Sequence, residues 1–407
     1  MKNFRQRPRW HSLSILVVKS LFFYLITCSF LISAPLASGD GLDCQNVMQP
    51  PPIGATSNLW GRFLNKLGVI PSASLKKLLV EQDALKANLG SSKGLTLIYD
   101  QPVTRHLQEL SGIFGPDFVR QVKGLNVGEL TVDSGTGLGL LPMELAEKKN
   151  TVSLGVDIRD YWSEIERIAE GRITNLDFGF ENNGQALLIK TIGGLRWDAV
   201  VSIAKAVGIE FYDKGGKLQG RGEQEITAIR TKAQEVCALA VKKRKRLEKN
   251  LSLEIIQGDA LAIFPQLLIS KSRATLITDL YGSFFYSKYR LELIKSYYDL
   301  LAQNGKAFVF LGVSAAKGKS TPLPLDSVIV LNKKLELVEY LVQRFPTIFS
   351  MKKIVYESRD CWILIIKKDS GYSELPLQFK RDESRMKERF GRGDYHFPTG
   401  VIYYPVN

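Results

Sequence analysis

The sequence predicts a doubly wound α/β fold: a mostly parallel, seven-stranded sheet with an antiparallel edge hairpin, preceded by a helical N-terminal region. Two observations carry this expectation. From Leu125 onward, short apolar runs alternate with stretches of helical periodicity, which is the pattern of strand–helix–strand units in a parallel sheet. The last two runs, SMKKIVYES and CWILIIKK, are joined only by the turn Arg359-Asp360, so they pair antiparallel rather than through a crossover. The composition, 45% hydrophobic and 24% charged over 407 residues, is that of a globular chain and argues against disorder.

The elements follow in order. Residues 1–39 form a basic stretch, the apolar run SLFFYLITCSFLISA and the small residues APLASGD. That is the plan of a signal peptide cleaved after Ala37 or Gly39, the apolar run being short for a span of about 20 residues. An uncleaved anchor through residues 12–37 is the alternative, and both versions place the body outside the cytoplasm of a bacterium, exported or membrane-anchored. Residues 40–124 begin with a proline-rich loop and continue with Leu59, Phe63, Leu64, Leu67, Leu75, Leu78 and Leu79 at helical spacing.

Residues 125–370 carry the α/β pattern. GELTVD is a strand, and LLPMELAEKK is a helix that tolerates Pro142 in its first turn. TVSLGVD is the second strand. The alternation lapses over about 160–222, read as an insertion, and resumes with a long helix from Glu223 to Asn250. Strands LEIIQ and ATLITD follow, then the helix YRLELIKSYYDLLAQ, the turn Asn304-Gly305, strand KAFVFLG, the helix LELVEYLVQRF and the closing hairpin. The tail, 371–407, is expected to lie over the surface.

Several chemistries are disfavoured at once. Cys28, Cys44, Cys237 and Cys361 form no CxxC pair, and His11, His106 and His396 are far apart. No metal site is therefore expected, and neither is a disulfide framework or a Ser-His-Asp triad. The net charge of +14 leaves room for an anionic partner, because only five of its positive charges lie ahead of the first acid, Asp40. The basic run Lys242-Lys243-Arg244-Lys245-Arg246 lies on the long helix without interleaved aromatics to stack bases. It reads as a solvated helix face, and no nucleic-acid partner is expected.

The informative stretch is TVDSGTGLG, Thr131 to Gly139. Glycines at 135, 137 and 139 let the backbone approach a ligand where a Cβ would collide, and the following helix offers unpaired amides. A dinucleotide loop needs its third glycine one place later, where Leu140 stands. The nearest Walker-like segment, GVSAAKGKS, is one residue too long and runs into TPLPL instead of a helix.

Asp133-Ser134-Gly135-Thr136-Gly137-Leu138-Gly139 resembles the first motif of the class I S-adenosylmethionine-dependent methyltransferases, an acid followed by three alternate glycines. Asp157 in SLGVDI is similar to the family's ribose-holding acid, and Gly258-Asp259-Ala260 to its adenine-side triplet. Asp279 in LITDLYG matches the acid after the fourth strand. The resemblance covers about residues 126–315 well and 330–368 loosely. It implies S-adenosyl-L-methionine as cofactor, held by Asp133, Gly135, Thr136, Gly137, Gly139, Asp157, Gly258, Asp259 and Ala260. Asp279 and Tyr281 would face the methyl acceptor, which the sequence leaves open among small molecules, proteins and lipids.

For each acid the bland alternative is a helix cap, and for Tyr281 it is packing. Asp-Leu-Tyr-Gly is not the Asn/Asp-Pro-Pro-Tyr of nucleic-acid amine methylases. ITDLYGSFFYS also resembles spermidine-synthase-type aminopropyltransferases, although their other acidic motifs are not evident. Because the cofactor is made in the cytoplasm, an exported fold that binds a nucleoside-like ligand or a partner without catalysis is the competing reading.

Overall fold

The computed structural model describes residues 106–157, 160–172, 176–180, 187–193, 195–209, 217–218, 223–269, 272–313, 326–356, 359–369, 371–390 and 396–406. Residues 1–39, expected to be a signal or anchor, and residues 40–105 of the expected helical region lie outside the described residues.

Two short helices open the described chain, α1 (Leu107–Phe114) and α2 (Pro116–Lys123). The α/β unit follows with β1 (Leu130–Ser134), α3 (Leu140–Lys149), β2 (Val152–Asp157) and α4 (Trp162–Ala169). The interruption over 160–222 contains β3 (Leu176–Phe180), β4 (Leu187–Ile192), β5 (Leu195–Arg196), α5 (Trp197–Ala206) and β6 (Lys217–Leu218). The main alternation returns with α6 (Glu223–Lys249), β7 (Leu253–Gln257), α7 (Ala260–Ile269) and β8 (Ala274–Asp279). Next come α8 (Ser283–Tyr286), α9 (Arg290–Leu300), β9 (Leu301–Val313), β10 (Ser327–Val330), β11 (Lys333–Glu336) and α10 (Leu337–Arg344). The chain ends with β12 (Phe349–Tyr356), β13 (Arg359–Lys367), β14 (Phe379–Asp382), β15 (Lys387–Phe390), β16 (His396–Thr399) and β17 (Ile402–Pro405).

The main sheet has seven strands in the order β12-β13-β9-β8-β1-β2-β7. Pairings among β7, β2, β1, β8 and β9 are parallel, and β13 pairs antiparallel with both β9 and β12. The predicted α/β class is therefore the observed one, with the hairpin at one edge and β13 its inner, reversed strand. The central strands are largely buried along their length because both sheet faces are covered. On one face, Ile277, Val309 and Leu364 pack with Phe264, Ile294 and Tyr297 from α7 and α9. On the other, Leu276, Phe308 and Ile365 meet Phe114 and Phe118 from α1 and α2. The rings of Phe114, Phe118 and Phe308 lie 5.3–5.8 Å apart. Helix α3 is buried from Leu140 through Ala146. Its Leu141 and Leu145 join the sheet-side cluster, while Leu140, Met143 and Ala146 face a separate core built by α4, α5 and α6.

Three local expectations are corrected. The tail does not simply cover the surface, since β14 and β17 join β10 and β11 in a four-stranded sheet, with Ser327 paired to Ile402. Strand β9 starts at Leu301, so Asn304-Gly305 lies within its span, Asn304 taking a left-handed φ of 65°. The helix expected from Leu335 starts at Leu337, because Lys333–Glu336 pairs with β10. Among the described residues, no helix is long and apolar enough to cross a membrane.

Candidate functional site at the carboxyl ends of the central strands

Consecutive strands leave β1 in opposite directions, towards β2 on one side and β8 on the other, so β1 stands at the switch point of the sheet. Ligands of such sheets collect beyond the carboxyl ends of the strands there. Register brings the expected residues together: Asp133 pairs with Gly155 and Thr278, Ser134 with Val156 and Asp279, and Asp157 with Gln257 of β7.

The glycine turn is shaped by close approach. Gly135, Gly137 and Gly139 have φ of 74°, 57° and 66°, a region that side chains rarely adopt. A Cβ on Gly135 would lie 2.1 Å from the Cα of Gly282, and one on Gly139 would lie 2.4 Å from Ile255 Cδ1. The amides of the turn are engaged within the chain. Gly135 and Thr136 donate to Val156 O at 2.7 and 3.1 Å, and Gly139 to Thr136 O at 2.9 Å. Gly137 donates to Asp157 Oδ2 at 2.8 Å.

The acids divide into two groups. Asp133, Asp157 and Asp259 are half-buried at the strand ends. Asp133 accepts from Thr278 Oγ1 at 2.6 Å and Thr136 Oγ1 at 2.7 Å. Burial pushes its carboxyl up to about 6 against those two bonds, and the charge of Asp157 adds to the rise. Asp259 stands between Gly258, whose amide donates to Asp157 O at 2.7 Å, and Ala260, which opens α7. It takes the amide of Leu261 at 2.9 Å, which is the helix-cap alternative realised in part, and burial raises its carboxyl above the usual range.

Asp279 differs. It is 1% exposed and lies under the loop rather than open to an acceptor. Its carboxylate accepts from Gly282 N at 2.9 Å, Phe284 N at 2.8 Å and the Tyr297 hydroxyl at 2.5 Å. Burial pushes it up to about 7, opposed by Tyr297, Phe284 and Gly282, while the charge of Asp133 adds to the rise. Tyr281 is half-buried with a left-handed φ of 52°, its ring 4.5 Å from Phe310 and 5.4 Å from Phe285. Packing accounts for its ring.

Several contributors escaped the sequence reading. Gly155 sits beneath Thr136, whose Cγ2 a Cβ would approach to 2.8 Å. A glycine inside SLGVD was the available signal, since glycine within a strand marks close backbone approach. Tyr297 and Ser134, 3.0 Å apart, join α9 to β1 and gave no local signal. Away from the site, buried His106 meets Glu144 Oε1 at 3.2 Å and ties α1 to α3.

Four members of the basic run are engaged within the chain: Lys243 and Arg246 pair with Glu147, Arg244 with Glu248, and Lys245 with Glu166. Among the described residues, no group of three or more His, Cys, Asp and Glu side chains could hold a metal ion. The chain matches no protein-family model and no curated protein.

Proposed function

We propose that the protein is an S-adenosylmethionine-dependent methyltransferase with its cofactor seated at the ends of β1, β2 and β7. The observation that carries the reading is the electrostatic character of the glycine turn. A phosphate cradle needs amides aimed at the ligand. Here the amides of Gly135, Thr136, Gly137 and Gly139 bond to the chain itself, and the half-buried Asp133, Asp157 and Asp259 stand at the ends of the adjacent strands β1, β2 and β7. That field repels an anion and favours a cation with hydroxyl and amino donors, which is the chemistry of a sulfonium nucleoside.

The residues fit such a group. The backbone at Gly135, Gly137 and Gly139 gives close approach, Asp133 would face the methionine end, Asp157 the ribose and Asp259 the adenine side. The cofactor supplies a methyl group on a positively charged sulfur. With Asp279 buried and engaged by three donors, the chain contributes alignment and charge rather than a proton acceptor. The topology, with its reversed strand inside the closing hairpin, supports the same reading. The apolar run in residues 1–39 supports export or membrane anchoring of the body, tested by fusing residues 1–45 to a reporter; cytoplasmic retention overturns that part of the proposal.

The test of function is calorimetric titration of the full chain with S-adenosylmethionine and S-adenosylhomocysteine. Binding is expected, and Asp157→Ala and Gly137→Val should abolish it while far-ultraviolet circular dichroism is unchanged. Absence of binding at millimolar ligand overturns the proposal.

A further inference from the structure

Three donors hold the Asp279 carboxylate, but two of them, the amides of Gly282 and Phe284, belong to the loop that Asp279 itself begins. Among the described residues, Tyr297 is the one donor to that carboxylate from beyond the segment 279–286, Phe284 lying in α8 directly after the turn. Tyr297 is fully buried on α9, its ring 5.5 Å from Phe264 of α7 and its hydroxyl 2.5 Å from Asp279 Oδ2. The start of the same helix grips the far side of the loop. Arg290, also fully buried, donates to Phe284 O at 3.0 Å and Phe285 O at 2.8 Å. Helix α9 therefore holds the loop at both ends, and between them Gly282 lies against the glycine turn. A Cβ on Gly282 would come within 2.1 Å of Ser134 O.

We propose that Tyr297 is a positioning residue of this site: by fixing the Asp279 carboxylate, its hydroxyl keeps Gly282 seated on Gly135 and so keeps the glycine turn in its ligand-accepting shape. The effect on ligand rests on the methyltransferase reading, whereas the clamp on the loop does not. A phenylalanine at 297 would keep the ring contact with Phe264 and remove only the hydroxyl. The carboxylate would then retain its two loop amides and lose its link to α9. It would also lose the bond that most opposes the effect of burial on its ionisation.

The experiment is amide hydrogen exchange on the full chain, wild type against Tyr297→Phe, without ligand. Protection of the segment 279–286 should fall by about ten-fold or more, the scale of a lost hydrogen bond to a charged group, while β12 and β13 stay unchanged. Equal loss across the chain, or no loss in the loop, overturns the clamp. In an Asp279→Ala background, where no acceptor remains at 279, Tyr297→Phe should have a much smaller effect, only the bond to Ser134 being left to lose, and a fully additive effect shows that the hydroxyl does not act through Asp279. Titration with S-adenosylhomocysteine then reads the consequence. Affinity should drop roughly ten-fold in Tyr297→Phe, by the same energetic scale. A loosened loop with unchanged affinity overturns the positioning role. A wild-type chain that does not bind the probe overturns the functional reading instead, and the exchange result still decides the clamp.

Discussion

Replacing Gly135 with alanine tests the geometry on which the site depends. Gly135 has φ of 74°, and its added Cβ would meet Gly282 Cα at 2.1 Å, Gly282 C at 3.1 Å and Gly282 N at 3.2 Å. Carbon atoms in favourable contact sit about 3.5–4.0 Å apart, so the first overlap exceeds 1 Å and involves backbone. Gly282 cannot simply retreat, because its amide is held by Asp279 at 2.9 Å. The left-handed backbone alone costs about 1–2 kcal/mol for a residue with a Cβ. Overpacking adds about 1–3 kcal/mol, giving a loss of about 2–5 kcal/mol. Gly128 provides the internal control: its φ is 81°, yet a Cβ there meets nothing within 4 Å. Gly128→Ala should therefore show only the backbone cost, about 1–2 kcal/mol. Urea unfolding of the two variants and the wild type, followed by circular dichroism, measures the difference. If Gly135→Ala is no less stable than Gly128→Ala, the loop does not rest on the turn and the description of the site fails.

Asp279 gives stability a pH dependence of definite sign. Its folded value of about 7 lies above its ordinary 3.8, so its contribution is fully present below about 3.8 and is lost as pH rises through about 7. At about 1.4 kcal/mol per unit the limit is roughly 4 kcal/mol. Glu292, also pushed up to about 7 by burial, has the same sign. Urea midpoints should be higher at pH 6 than at pH 8, and a reversed order refutes the burial argument. Asp326→Ala should cost about 3–5 kcal/mol, because it removes the carboxylate that balances the buried charge of Arg290, an ion pair at 3.1 Å with both side chains at 0% exposure. A loss under 1 kcal/mol in the same assay would show that the pair is not isolated from water. Phe118→Ala should cost about 3–5 kcal/mol, since Phe118 is fully buried between Phe114 and Phe308. A near-neutral result would mean that α1 and α2 are not part of the main core. Affinity for S-adenosylmethionine should weaken as pH falls through about 6, roughly ten-fold by pH 5, as Asp133 takes up a proton and stops favouring the cation. Flat affinity from pH 5 to 8 would remove Asp133 from the binding site.

What the sequence disclosed is what it encodes locally. Parallel strands read as short stretches rich in apolar residues between helical patterns, so β1, β2, β7, β8 and β9 were recognisable one at a time, and the glycine turn was recognisable from its spacing. The four-residue strands β10, β11, β14 and β17 are too short to show a period, and their pairing joins Ser327 to Ile402 across the length of the C-terminal region. The role of Asp279 was hidden for a related reason. An acid that ends a strand looks the same in sequence whether its carboxylate faces a ligand or turns inward. The direction is decided by Tyr297 on α9 and by two amides of the following loop, which no local pattern announces. Gly282 was unreadable for the same cause, since its need for a missing side chain comes from Ser134 O and Gly135.

The glycine turn is a common device, and alternate glycines after a strand do not by themselves name the charge of the ligand. The distinction lies in where its amides point. In a phosphate loop they converge on the ligand, and an adjacent carboxylate is a liability. In this chain β2 takes them: Val156 accepts two through its carbonyl and Asp157 a third through its carboxylate. Removing those donors from the surface leaves carboxylates to set the field, and Asp133, drawn up to about 6 by burial, sits where a bound positive charge would bring it back to full ionisation. Charge stabilisation would then run both ways, the cation holding Asp133 ionised and ionised Asp133 holding the cation. On the proposed reading, loss of the methyl would leave the sulfur neutral, so this attraction would weaken and Asp133 would favour release of the product over retention.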